Sequence, residues 1–104
     1  MDLKKLQELL NNKAFNPYIN VSDSKKVFIH LIEEVGELAR AFRNGQRLEM
    51  RRELGDVQIL LLFFAESIGL ELNKETLYKI RENILNGKFR PKEDFEKILN
   101  EEGL

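Results

Sequence analysis

Two pairs of carboxylates constrain this chain more than any other feature. The first pair is Glu34 and Glu37, in the run Ile32-Glu33-Glu34-Val35-Gly36-Glu37-Leu38. The second is Glu53 and Asp56, in the run Glu53-Leu54-Gly55-Asp56-Val57. Fifteen residues, 38 to 52, separate them. Both runs lie in sequence of helical periodicity, and on a helix positions i and i+3 are neighbours on one face. Each pair therefore projects together. Asn44-Gly45 breaks the periodicity between them and lets the chain turn back. Two antiparallel helices then set the two pairs face to face.

At about 100° per residue, the first helix gathers Val27, Phe28, Leu31, Ile32, Val35, Leu38, Ala39 and Phe42 into one broad apolar arc. Glu34 falls on the edge of that arc and Glu37 just beyond it. Glu33 falls near the opposite, polar side, which makes it a solvated acid. On the second helix Glu53 and Asp56 share a face with Leu60, Phe63 and Phe64. Acids whose own stripe turns apolar one turn later are at least partly buried. Four of them cannot stay ionised together in a pocket of low dielectric without compensation by protons or cations. Carboxylate oxygens at this density suit a hard divalent ion, Mg²⁺ or Mn²⁺. The plainer alternative is a set of surface ion pairs with Arg40, Arg51 or Arg52. An isolated Glu-x-x-Glu would deserve that reading. Two such motifs on adjoining helices, beside apolar faces, weigh against it.

The pattern Glu34-x-x-Glu37, a spacer of fifteen, then Glu53-x-x-Asp56 resembles the signature of the MazG-like all-α nucleotide pyrophosphohydrolases. The resemblance runs over residues 22 to 90. Downstream, Lys79-x-x-x-Asn83 and Lys88-Phe89 resemble the family's basic and amide positions that face the phosphates. The resemblance implies an all-α fold, a four-helix MazG-like bundle with an extra short C-terminal helix here, assembled as a homo-oligomer. It implies Mg²⁺ held by Glu34, Glu37, Glu53 and Asp56, and phosphates held by Lys79, Asn83 and Lys88, with Arg90 a weaker candidate. It implies attack of water at the α-phosphorus of a nucleoside triphosphate, NTP or dNTP, releasing pyrophosphate and a nucleoside monophosphate. Spacing alone does not say which phosphorus is attacked.

Composition bounds the rest. A chain of 104 residues reads as a single all-α domain, 1–104. Net charge is −1, which argues against a general binder of nucleic-acid polymers. There is no cysteine, hence no disulfide or thiol chemistry, and the one histidine excludes a His-rich metal site. Residues 1 to 13 are amphipathic and charged, without the apolar core of a signal peptide. The apolar run from Val57 to Ala65 is far short of a membrane span. The expectation is a cytoplasmic protein with no membrane partner.

In chain order, Leu3, Leu6, Leu9 and Leu10 predict an amphipathic first helix over 2–13. Residues 14 to 21 form a loop in which Phe15 and Tyr18 pack, or stack on a nucleotide base. Ser22, Asp23 or Ser24 caps the second helix, which runs to about Arg43. His30, one turn before Glu34, reads as a hydrogen-bonded structural histidine and not as a catalytic group. The third helix, from Gln46 or Arg47 to Ile68, is apolar nearly all round in its second half. Such a helix is buried on all sides, and so short a chain has few helices to surround it. A second subunit is the expected cover, and the resemblance likewise points to a dimer or tetramer. Asn73 reads as the N-cap of a fourth helix that turns Lys79, Asn83 and Asn86 to one face. Gly87 ends it, and Pro91 opens a last helix carrying Phe95, Ile98 and Leu99.

Three other readings stay open. Phosphoribosyl-ATP pyrophosphatases share the helical scaffold and a similar acid pattern. A ferritin-like di-iron bundle would need Glu-x-x-His motifs, which this chain lacks. A non-catalytic helical adaptor would use the apolar third helix for dimerisation alone.

Overall fold

Capping residues set the helix boundaries in the computed structural model, which describes residues 2–12, 23–89 and 92–104. The side chain of Asp2 accepts the Lys5 N–H at 2.8 Å and opens α1, Leu3–Leu10. Of the three cap candidates for the next helix, Asp23 takes the role. It accepts the Lys26 N–H at 3.2 Å and opens α2, Ser24–Arg43. Three further helices follow: α3, Arg47–Ser67; α4, Leu72–Leu85; and α5, Lys92–Glu101. No strand occurs among the described residues. The fold is all-α, as the periodicity predicted.

The turn between α2 and α3 is a Schellman cap. Gly45 sits at φ +67, the left-handed region that L side chains rarely adopt. This lets the Gln46 N–H reach the Ala41 carbonyl at 3.0 Å and the Gly45 N–H reach Phe42 at 3.1 Å. The chain reverses in three residues, and α2 and α3 pack as an antiparallel pair.

Residues 1–71 form one compact unit, holding α1, α2 and α3; residues 72–104 form another, holding α4 and α5. In the first unit Val27 and Leu31 of α2 bury against Leu60 and Phe63 of α3, with Leu10, Val57, Leu61 and Phe64 packed around them. Leu62 is fully buried, a burial of about 2 kcal/mol at the usual apolar transfer value. Helix α1 packs on α3 through an unexpected residue. Gln7, not one of the leucines, is its most buried side chain, at 3% exposure. Its Nε2 donates to Glu66 Oε2 and to the Leu70 carbonyl, both at 2.9 Å. A buried amide is tolerated because it is hydrogen-bonded, here to acceptors at the end of α3. In the second unit α4 and α5 pack together, and the rings of Phe89 and Phe95 lie 5.5 Å apart.

Two expectations need correction. Helix α4 begins at Leu72, so Asn73 lies inside its first turn and is not the cap. The helix expected to need outside cover, α3, is mostly covered within the chain: Leu60, Leu62, Phe63 and Ala65 are buried, Leu61 and Phe64 half-buried. Exposed apolar side chains stand on both helices, Leu48, Leu54 and Ile59 on α3 and a longer row on α2. Phe28, Ile32, Val35 and Phe42 are between 44% and 75% exposed. The wide arc of α2 is split: Val27, Leu31 and Ala41 are buried, and the other flank is exposed apart from Phe28, whose ring lies 5.2 Å from that of Phe64. No helix among the described residues is long and apolar enough to cross a membrane. Phe15, Tyr18, Arg90 and Pro91 lie outside the described residues.

Candidate metal centre

The antiparallel pairing of α2 and α3 brings acids from both helices to one place. Glu34, Glu53 and Asp56 each contribute a carboxylate oxygen, and these oxygens lie within 4.8 Å of one another. Glu34 and Glu53 are half-buried and Asp56 is exposed, so the cluster is closed on its apolar side and open to solvent on the other. Glu53 Oε2 is shielded from solvent and has no hydrogen-bond donor. Its neighbour is another carboxylate, Glu34. With both ionised there are only acceptors. A proton on Glu53 turns the pair into a hydrogen bond. That bond, together with burial and the charges of Glu34, Asp56 and Glu37, raises the Glu53 pKa to about 7.

Glu37, the fourth predicted acid, stands outside this cluster. Its Oε1 lies 3.5 Å from Nη1 of Arg40, one turn further along α2. Of the surface ion pairs weighed above, this is one that the structure forms. A second joins Arg52 to Glu49 at 3.2 Å on α3. Arg51 pairs with nothing among the described residues. Glu33 is exposed, on the polar side where the helical angle put it. His30 is exposed too and has no hydrogen-bond partner among the described residues; the structural role expected for it is not seen.

Lys79, Asn83 and Lys88 belong to the second unit. Lys79 is exposed and pairs with Glu82 at 3.2 Å. Lys79 and Asn83 line a groove of about 440 Å³ together with Glu75, Thr76, Ile80 and Phe89. The Asn83 carbonyl accepts the N–H groups of Lys88 at 2.8 Å and Phe89 at 3.3 Å, which folds the end of α4 back over itself.

The donor set fits a hard divalent cation. Three converging carboxylates, one carrying a shielded and unpartnered oxygen, are the ligand chemistry such an ion takes. Sequence reasoning singled out all three. It did not single out Glu49 or the pairing of Arg52 with it, although the spacing Glu49-x-x-Arg52 is visible in the chain.

A family model described as the MazG nucleotide pyrophosphohydrolase domain matches residues 23–83. The matched segment holds both acid pairs, Lys79 and Asn83, and stops short of Lys88. Neither the comparison with curated proteins nor that with solved structures finds a match. More than half of the chain is matched, over the segment whose helices build the acidic cluster, and the chain belongs to the MazG nucleotide pyrophosphohydrolase domain family.

Proposed function

We propose that the chain hydrolyses nucleoside triphosphates, NTP or dNTP, to a nucleoside monophosphate and pyrophosphate, with Mg²⁺ or Mn²⁺ as cofactor. The convergence of Glu34, Glu53 and Asp56 within the matched segment carries this reading. These three carboxylates would hold the ion, and Glu37 joins them if its pair with Arg40 opens. When bound, the ion neutralises phosphate charge and makes a water more acidic.

The chain's own residues do the remaining work. One of the four acids serves as base towards the attacking water; Glu53, whose carboxyl holds its proton up to about pH 7 with no ion bound, gives it up to ligate as the carboxylate. Glu34, its immediate neighbour, holds it in place. Asp56, on the exposed side, marks where substrate enters. Lys79, Asn83 and Lys88 keep the phosphate-holding role that the family resemblance implies for them. With no cysteine in the chain, direct attack by water is the economical route, and the family description favours pyrophosphate as the leaving group. We also propose self-association through the outward flank of α2, where Ile32, Val35 and Phe42 are exposed.

Release of pyrophosphate and of orthophosphate from a panel of NTPs and dNTPs, with and without Mg²⁺, tests the reaction. Pyrophosphate that appears only with the ion supports it. Orthophosphate alone, or no release from a folded and helical sample, overturns it.

A further inference from the structure

The acidic cluster must admit a substrate that is itself strongly negative. An ion in the cluster offsets only part of that repulsion, so cations of the protein are needed beside it. In the α2–α3 pair two arginines stand at the right place. On α2 the row Glu34, Glu37, Arg40 rises in steps of three, neighbour to neighbour, and winds about 60° towards the polar side at each step. On α3 the row Glu49, Arg52, Asp56 rises in steps of three and four. Because the helices are antiparallel, residues after Glu37 and residues before Glu53 lie towards the same end, the Gly45 turn. Helical angles put Arg52 on the flank of the pair where Asp56 emerges; Arg40 leaves α2 nearer the polar side of Glu33, and its guanidinium comes to that flank through its ion pair with Glu37. Arg43, Arg47 and Arg51 fall on other faces.

The ion pairs fix where the two guanidinium groups rest. Arg40 lies against Glu37 at 3.5 Å and Arg52 against Glu49 at 3.2 Å, about one helical turn on the turn side of the cluster. Both arginines are more than 60% exposed and both carboxylates nearly half exposed. Exposed pairs of this spacing hold weakly, so either arginine exchanges its carboxylate for a phosphate at small cost. Guanidinium binds phosphate with two parallel N–H donors, a stronger contact than the single resting one.

We propose that Arg40 and Arg52 form a clamp for the phosphate chain of the substrate, one arm from each helix, with Glu37 and Glu49 as their resting partners. The clamp rests on the reading of the chain as a hydrolase of nucleoside triphosphates and adds two positioning residues to that site. Release of Arg40 also frees Glu37 to turn towards the other three acids, so phosphate capture and completion of the acidic cluster are one exchange of partners.

Calorimetric titration with Mg²⁺ alone and with Mg²⁺-tripolyphosphate tests this, using wild type, Arg40→Ala, Arg52→Ala and Arg51→Ala. Tripolyphosphate carries the phosphates without a base, so base preference does not enter. The clamp predicts that Arg40→Ala and Arg52→Ala each weaken tripolyphosphate about tenfold and leave Mg²⁺ binding no weaker than in wild type. Arg40→Lys and Arg52→Lys recover part of the loss, and Arg51→Ala has no effect. Wild-type affinity in both alanine variants overturns the clamp and leaves the hydrolase reading standing. Mg²⁺ binding without any tripolyphosphate binding in wild type overturns both.

Discussion

Between about pH 4.5 and pH 7, Glu53 keeps a proton in the folded chain that it loses in the unfolded one. The folded state binds that proton more tightly, so the stability this group contributes is full below pH 4.5 and is lost as pH rises through about 7. The melting temperature of the metal-free protein is therefore expected to fall between about pH 5 and pH 8, and Glu53→Gln to flatten the slope. An unchanged slope in the variant would place its origin elsewhere. Divalent affinity moves the other way over the same window, because the proton must leave before the carboxylate can ligate. Turnover assays separate the acids: Asp56→Asn is expected to abolish ion-dependent turnover, and Glu33→Gln, on the exposed side, to change it little. At this scale the spacing in the chain put four acids together, since helical angle follows from sequence number alone, and three of them, Glu34, Glu53 and Asp56, converge. It offered Arg40 as an ion-pair partner but could not decide, for Glu37, between that pair and the cluster. Arg40 stands at i+3 from Glu37 and the cluster stands beside it, and the choice between them is made by rotamers that no periodicity encodes.

Helix boundaries were legible wherever a side chain or a glycine carries the signal. Asp23 and Gly45 are such places, and each has a measurable cost. Asp23→Ala removes the acceptor of the Lys26 N–H and is expected to lower stability by about 1 kcal/mol. Gly45→Ala puts a methyl group on a residue at φ +67, with an expected loss of about 1 to 2 kcal/mol. Urea denaturation of each variant checks both figures. Asn73 misled because asparagine before an apolar run is also a common cap, and here Leu72 had already begun the helix. Gln7 was not legible as a core residue. Its burial depends on Glu66 and Leu70, which the chain brings near only after α3 has turned back over α1.

At the scale of the whole molecule, the α2–α3 pair has two unlike flanks: acids and arginines on one, bare apolar side chains on the other. The apolar pattern of α3 did not foretell that Leu60, Leu62, Phe63 and Ala65 are buried within the chain while Leu48, Leu54 and Ile59 stay exposed. A hydropathy pattern reports which residues avoid water but not which neighbour shields them. If the bare flank of α2 is where two copies meet, Ile32→Glu or Phe42→Glu should yield monomers in sedimentation velocity while helicity is retained. A mass unchanged from wild type would move the contact to another face. The Gly45 turn has a kinetic consequence as well. Glu34 and Glu53, from opposite helices, are only nineteen positions apart in the chain, so the centre assembles by one short loop closure. Chains dominated by such local encounters fold rapidly. Ligand geometry should therefore arise with the first collapse of the hairpin, ahead of slower rearrangements elsewhere, and a divalent ion added during refolding would meet its three carboxylates early.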